Sequence, residues 1–222
     1  MQNRKAKADV TPVRQRTQFT CMSTSLMLCL QANGVKCDEE EVNKVMGAAP
    51  MKGAAWEHAL AAAQHYGMRA TLTVPATIRQ LKAWTDQKIP IMIAWNPEGR
   101  DWSHASVVYD VTEGLPKTLP AACTVKGEGD GLYVWVADPN IPNPDKTTRI
   151  VHEDAFYAGW YEKWPNYLVR RPACAIEPEI TKDGRQVVAS QKLNVAQHSR
   201  QTVTRDIQRE AIRKVMQEMH HE

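Results

Sequence analysis

An α+β fold, with N-terminal helices packed on an antiparallel β-sheet, is predicted by three features of the 222-residue sequence. Residues 21–85 carry helical patterning and helix stop signals. Residues 89–171 carry short β-branched and aromatic runs separated by Pro, Gly and Asn clusters. A polar stretch and an isolated amphipathic stripe then close the chain. Helices first and strands after is the order of an α+β domain, in which an antiparallel sheet is expected over a parallel one.

Each element has a local reason. Residues 1–12 are polar and basic without periodicity and read as a flexible basic arm. Cys21–Ala32 reads as a helix that Asn33-Gly34 stops. Asp38 followed by Glu41 resembles a capping box opening a short second helix, ended near Gly47. A third helix is expected over about 54–66, stopped at Gly67, and a fourth over about 78–84, so that the first 85 residues are mostly helical. Strands are expected at 89–95, 104–111, 122–126, 131–137, 147–151 and 167–171, with a helical turn at about 153–160. Residues 112–130 read as a long, irregular hairpin connection. Residues 13–175 form the domain, and 176–222 a polar linker and a helix over 202–220, with Val203, Ile207, Ala211, Val215 and Met219 four apart. That stripe packs on the parent domain or docks onto a partner or a second copy.

Composition excludes several function classes. Lys and Arg number 28 against 25 Asp and Glu, and a net charge of +3 is too small for a nucleic-acid face. Apolar residues make up 43% of the chain, too many for a disordered one. No apolar run approaches the roughly 20 residues of a membrane span, and the basic first 20 residues lack a signal peptide's apolar core. A cytoplasmic location is expected, with carriage inside a larger particle as the alternative. The five cysteines are odd in number and scattered, which argues against a disulfide framework and for one reactive thiol among inert ones. There is no H-E-x-x-H, C-x-x-C or clustered-carboxylate pattern and no phosphate-cradling glycine loop, so neither metal nor cofactor is expected.

Cys21 opens the first helix, where unpaired N–H groups and the helix dipole favour a thiolate. A nucleophilic thiol needs a base within reach. Of seven histidines, His220 and His221 end the chain, His198 lies in the polar stretch, and His152 precedes a helix as a capping or surface residue. His58 and His65 share a face of the third helix, as half-buried packing residues do. His104 opens a strand directly after a turn, where a side chain faces a cleft at the sheet edge. Its second nitrogen needs an acceptor. Asp138, at the end of L-Y-V-W-V-A, is placed beside His104 by hairpin pairing, although Asp before Pro is also an ordinary turn starter. Asp110 is the lesser candidate. An oxyanion needs donors, for which the Cys21 N–H and the amide of Gln15 or Gln18 are available.

The segment V-R-Q-R-T-Q-F-T-C-M-S-T-S-L-M-L-C-L-Q-A-N-G resembles the opening motif of the C39 and C39-like cysteine peptidases. These are papain-like enzymes related to bacteriocin leader-peptide processing domains. W-S-H-A-S-V-V-Y-D-V resembles their catalytic-histidine segment, A-D-P-N their Asp-Pro element, and E-D-A-F-Y-A-G-W the helix that follows. The resemblance covers roughly residues 13–171 in the right order. It implies a papain-like peptidase fold and cysteine-dependent hydrolysis of a peptide or amide bond in a peptide or protein substrate. It further implies a Cys21–His104–Asp138 triad, with Gln15, six positions before the cysteine, in the oxyanion hole, and no cofactor. Three departures accompany it. Met22 stands where the family commonly has glycine and is expected to reshape the cleft. Residues 112–130 are long enough to overhang the site. No transporter domain follows, so peptide export by this chain is not expected. The alternative from another class is a catalytically inactive papain-like binding module, tethered to an assembly by the 202–220 helix. A cell-wall amide hydrolase or a transglutaminase-like transferase would share the chemistry, but the placement of Gln15 favours the C39-like pattern.

Overall fold

The computed structural model describes residues 8–48, 53–99, 103–143, 145–163 and 168–180. The expected 202–220 helix, with His198, His220 and His221, lies outside the described residues. Helices α1 (Cys21–Ala32), α2 (Glu39–Met46) and α3 (Trp56–His65) precede strand β1 (Met68–Thr73) and helix α4 (Ile78–Asp86). Strands β2 (Ile91–Trp95), β3 (His104–Glu113), β4 (Cys123–Lys126), β5 (Leu132–Ala137) and β6 (Thr148–His152) follow. The described chain closes with α5 (Glu153–Gly159), the hairpin β7 (Tyr161–Lys163) and β8 (Leu168–Arg170), and β9 (Ala173–Pro178). The main sheet has seven strands in the order β1-β9-β2-β3-β5-β6-β4. Every neighbouring pair is antiparallel except β4 and β6, which run parallel.

The α+β expectation holds, and so do the caps. Asp38 Oδ1 accepts the Glu41 N–H at 2.9 Å while Glu41 Oε2 accepts the Asp38 N–H at 3.0 Å. Gly47 closes α2 in the left-handed region at φ 70°, where a side chain would be strained. Asp38→Ala removes this box and is expected to cost about 1 kcal/mol, read as a Tm loss of about 2–4 °C in a thermal melt. An unchanged melt would mean that α2 is held by its packing alone.

The sheet separates two cores. Alternation along β2 sends Met92 and Ala94 to one face, where they meet Leu26, Leu30, Val42, Leu60 and Trp135 beneath α1–α3. It sends Ile91, Ile93 and Trp95 to the other, against Ile78, Leu81, Phe156 and Trp160 of the α4 and α5 side. Residues 22–30 of α1 are buried all round, as a helix covered on several sides must be.

Three expectations need correction. The first 85 residues contain a strand: β1 follows Gly67 directly, half-exposed at the sheet edge, with residues 173–178 as its partners. The stretch after Pro172 is also strand rather than the run-up to a linker. β9 lies between β1 and β2, buried on both faces along Ala173–Ile176, so the small-residue run A-C-A-I shows no alternation. Within the expected basic arm, Ala8 and Val10 are buried and the Ala8 N–H donates to Tyr109 O at 3.1 Å. The strand expected at 122–126 is present within the long 112–130 connection. Residues 123–126 form the outermost strand of the sheet, and Gly127, Gly129 and Gly131 wrap the buried His152.

Candidate active site

The segment before α1 is pinned rather than loose. The Arg16 N–H donates to both oxygens of the buried Glu39 at 3.0 and 3.1 Å. Arg14 Nη1 donates to Ile141 O at 2.7 Å, and the Gln15 N–H to Pro139 O at 2.9 Å. These bonds tie the approach to Cys21 to the turn that follows Asp138. Cys21 is the first residue of α1, after the buried Thr20.

His104 is the first residue of β3 and pairs with Trp95 of β2. Asp138 directly follows β5, its N–H donating to Thr147 O at 3.0 Å. His104 Nε2 and Asp138 Oδ1 lie 2.6 Å apart, with both side chains buried. Asp138 Oδ1 also accepts the Asn140 N–H at 2.9 Å, so this Asp starts its turn and holds the histidine with one oxygen. Asp110 is six residues along β3, opposite Trp135, roughly 20 Å from the start of the strand, which removes it as a partner of His104.

His104 also interacts with the Cys21 thiol, by hydrogen bond and by charge. Burial disfavours a charged thiolate, yet the His104 hydrogen bond and charge, with the backbone N–H groups of Ala105 and Met22, bring the Cys21 pKa below the ordinary thiol value. Burial likewise disfavours an imidazolium. Asp138 and Cys21 outweigh it and raise His104 to about 9. Asp138 is itself buried, but His104, Arg149 and the Asn140 N–H lower it to about 2. All three shifts favour a thiolate–imidazolium pair backed by a carboxylate. Three other cysteines behave oppositely: burial pushes Cys29 well up, Cys37 to about 11 and Cys174 to about 12.

Gln15 is half-buried; its Nε2 donates to Thr17 O at 2.6 Å and retains a second N–H. Gln18 is exposed. Met22 is 5% exposed and belongs to the core beneath α1–α3, which corrects the expectation that it reshapes the cleft. His152 caps α5, its Nδ1 accepting the Asp154 N–H at 3.4 Å, and His58 and His65 are half-buried on α3. Among the described residues no group of three or more His, Cys, Asp or Glu is placed to hold a metal ion, and no helix is long and apolar enough to cross a membrane.

Sequence reasoning passed over one charged neighbour. Arg149 of β6 stands opposite Val136, two residues before Asp138, so the arginine and the aspartate are diagonal neighbours on one face. Its Nε donates to Asp138 Oδ2 at 2.5 Å and its Nη2 to Glu98 Oε1 at 2.6 Å, while its guanidinium carbon lies 5.8 Å from the Trp95 ring centroid. The available signal was an arginine within the otherwise strand-like T-T-R-I-V-H.

No family profile matches the chain, and no curated protein matches it in sequence. Solved structures do match it in fold. A double glycine motif protease from an AMS/PCAT transporter, solved in complex with the leader peptide, aligns with TM-score 0.53 and 18% identity over 79% of this chain and 96% of its own. The peptidase domain of Streptococcus ComA, a bifunctional ABC transporter involved in quorum sensing, aligns at 0.54 and 14% over 77% and 99%. A C39-like peptidase from Bacillus anthracis aligns at 0.51 and 13% over 78% and 98%. The α+β architecture that carries Cys21, His104 and Asp138 is thus the fold seen in C39 peptidase domains.

Proposed function

We propose that this protein is a cysteine peptidase of C39-like type, hydrolysing a peptide or amide bond with Cys21 as nucleophile. The observation that carries the reading is the ordered line Cys21–His104–Asp138, in which His104 lowers the thiol while Asp138, with Cys21, raises the imidazole. The Cys21 thiolate attacks the carbonyl carbon, and the His104 imidazolium donates its proton to the departing amine. Water then attacks the thioester with neutral His104 as base, releasing the acid and restoring the pair. Asp138 orients His104, while Gln15 and the Cys21 N–H serve the oxyanion. A peptide is the proposed substrate, in keeping with the leader peptide held by the double glycine motif protease. With all five cysteines free, the proposed setting is the reducing cytoplasm. The binding-module alternative loses one motive, since Met22 turns into the core.

The test is iodoacetamide labelling at about pH 5.5, mapped by peptide mass spectrometry. An ordinary thiol of pKa about 8.5 is then only about one part in a thousand ionised. Labelling is expected at Cys21 ahead of Cys29, Cys37 and Cys174, and is expected to fall in His104→Ala. No preference for Cys21 would end the hydrolase reading and leave the binding module.

A further inference from the structure

We propose that Arg149 is a positioning residue of this site, clamping the free oxygen of Asp138 and supplying the permanent positive charge that lets His104 cycle through its neutral form. The inference rests on the hydrolase reading for its catalytic meaning, but not for its test. Asp138 has no exposed side-chain surface, and its two oxygens are divided between partners. Oδ1 takes His104 Nε2 and the Asn140 N–H; Oδ2 takes Arg149 Nε. Occupation of both oxygens prevents the carboxylate from rotating away from the imidazole.

Arg149 is itself held from three sides. Asp138 binds its Nε, Glu98 binds its Nη2, and the Trp95 ring underlies the guanidinium. Its side chain is 13% exposed, so its charge is little screened by water. Among the described residues, the ionisable and charged groups facing His104 and its carboxylate include Cys21 on α1, Asp138 after β5, Arg149 on β6 and, behind Arg149, Glu98 after β2. The β2 neighbour of His104 is the uncharged Trp95.

The proposed reaction needs a histidine that gives its proton away. When His104 is protonated, it balances the buried Asp138 charge. When it becomes neutral, that carboxylate would be left uncompensated unless another cation stayed beside it. The Arg149 guanidinium does not depend on His104 for its charge and keeps the carboxylate paired in both halves of the cycle. Without it, His104 would hold its proton too tightly to act as acid and then base.

The ring titration of His104, followed by NMR on isotope-labelled histidine and assigned with His104→Ala, tests this without any substrate. Arg149→Met and Arg149→Gln are both compared with wild type, the glutamine keeping a donor for Asp138 Oδ2 while removing the charge. The His104 midpoint is expected to rise by about one pH unit in each, and to stay near wild type in Arg149→Lys. Should Arg149→Met fail to fold, Arg149→Gln decides. An unmoved midpoint in folded Arg149→Gln overturns the proposal, whether or not the protein cleaves a peptide. A raised midpoint in a protein that cleaves no peptide would sink the hydrolase reading and leave Arg149 in its electrostatic place.

Discussion

Cys21→Ala is expected to abolish hydrolysis, by roughly 10⁴-fold or more, while leaving the thermal melt within about 2 °C of wild type. Cys21 is only partly buried, at the start of α1 on the margin of the core, and alanine is a strong helix former, so the substitution removes chemistry with little packing. The His104–Asp138–Arg149 contacts do not involve Cys21 and remain. Asp138→Asn is expected to impair turnover less, by about 10- to 100-fold, because an amide oxygen still accepts from His104 Nε2. It carries its own cost. Asp138 faces donors from His104, Asn140 and Arg149, and an asparagine that keeps its oxygen toward His104 turns its NH₂ toward Arg149 Nε. Two buried donors face to face predict a stability loss of about 1–3 kcal/mol, visible as a lower Tm alongside the lower rate. Turnover assays and melts on the two variants form the check. Full activity in Cys21→Ala would eliminate it as the nucleophile.

Turnover should also follow a bell-shaped pH profile whose two limbs have different owners. The productive pair exists only above the lowered pKa of Cys21 and below the raised pKa of His104, about 9. As pH falls through the first, the thiolate takes a proton and the rate declines. As pH rises through the second, the acid needed by the leaving amine is lost, and the rate falls about tenfold per unit. Asp138, lowered to about 2, stays ionised across this range and adds no limb. Alkylation of Cys21 should part company with turnover on the alkaline side, because iodoacetamide needs the thiolate but not the imidazolium. Two profiles, one of kcat/KM and one of labelling rate, check this. Joint decline of both above pH 9 would mean that the limb belongs to some other event, such as loss of the fold.

How much of this was legible in the sequence depended on how local each signal was. The Asp38–Glu41 box, the Asn33-Gly34 stop and the Val- and Trp-rich β5 announce themselves within a few residues, and they stand where expected. So does the convergence of His104 and Asp138, because β3 and β5 pair antiparallel. What escaped was non-local. β1 is half-exposed and short, and its identity as a strand comes from residues 173–178, about a hundred positions away. β9 hides between Pro172 and Pro178 as four small or apolar residues without alternation. Arg149 drew no notice in the sequence because only the pairing of β6 with β5 brings it to Asp138. Met22 misled in the opposite sense: adjacency to Cys21 in sequence suggested the cleft, while the helical rotation between them sends it into the core.

The threading of β9 between β1 and β2 has a consequence for how the protein is made. A chain emerging from the ribosome presents α1, with its thiol, more than 140 residues before the strand that joins β1 to the rest of the sheet. Until that strand arrives, β1 lacks its ladder and β2 is an open edge, so the seven-stranded platform beneath the site is incomplete. Such long-range closure raises contact order and slows the last step of folding. It also means that the nucleophile is synthesised early but built into its finished platform late. The hydrolase proposed here would therefore be silent as a nascent chain and become competent only when β9 is in place.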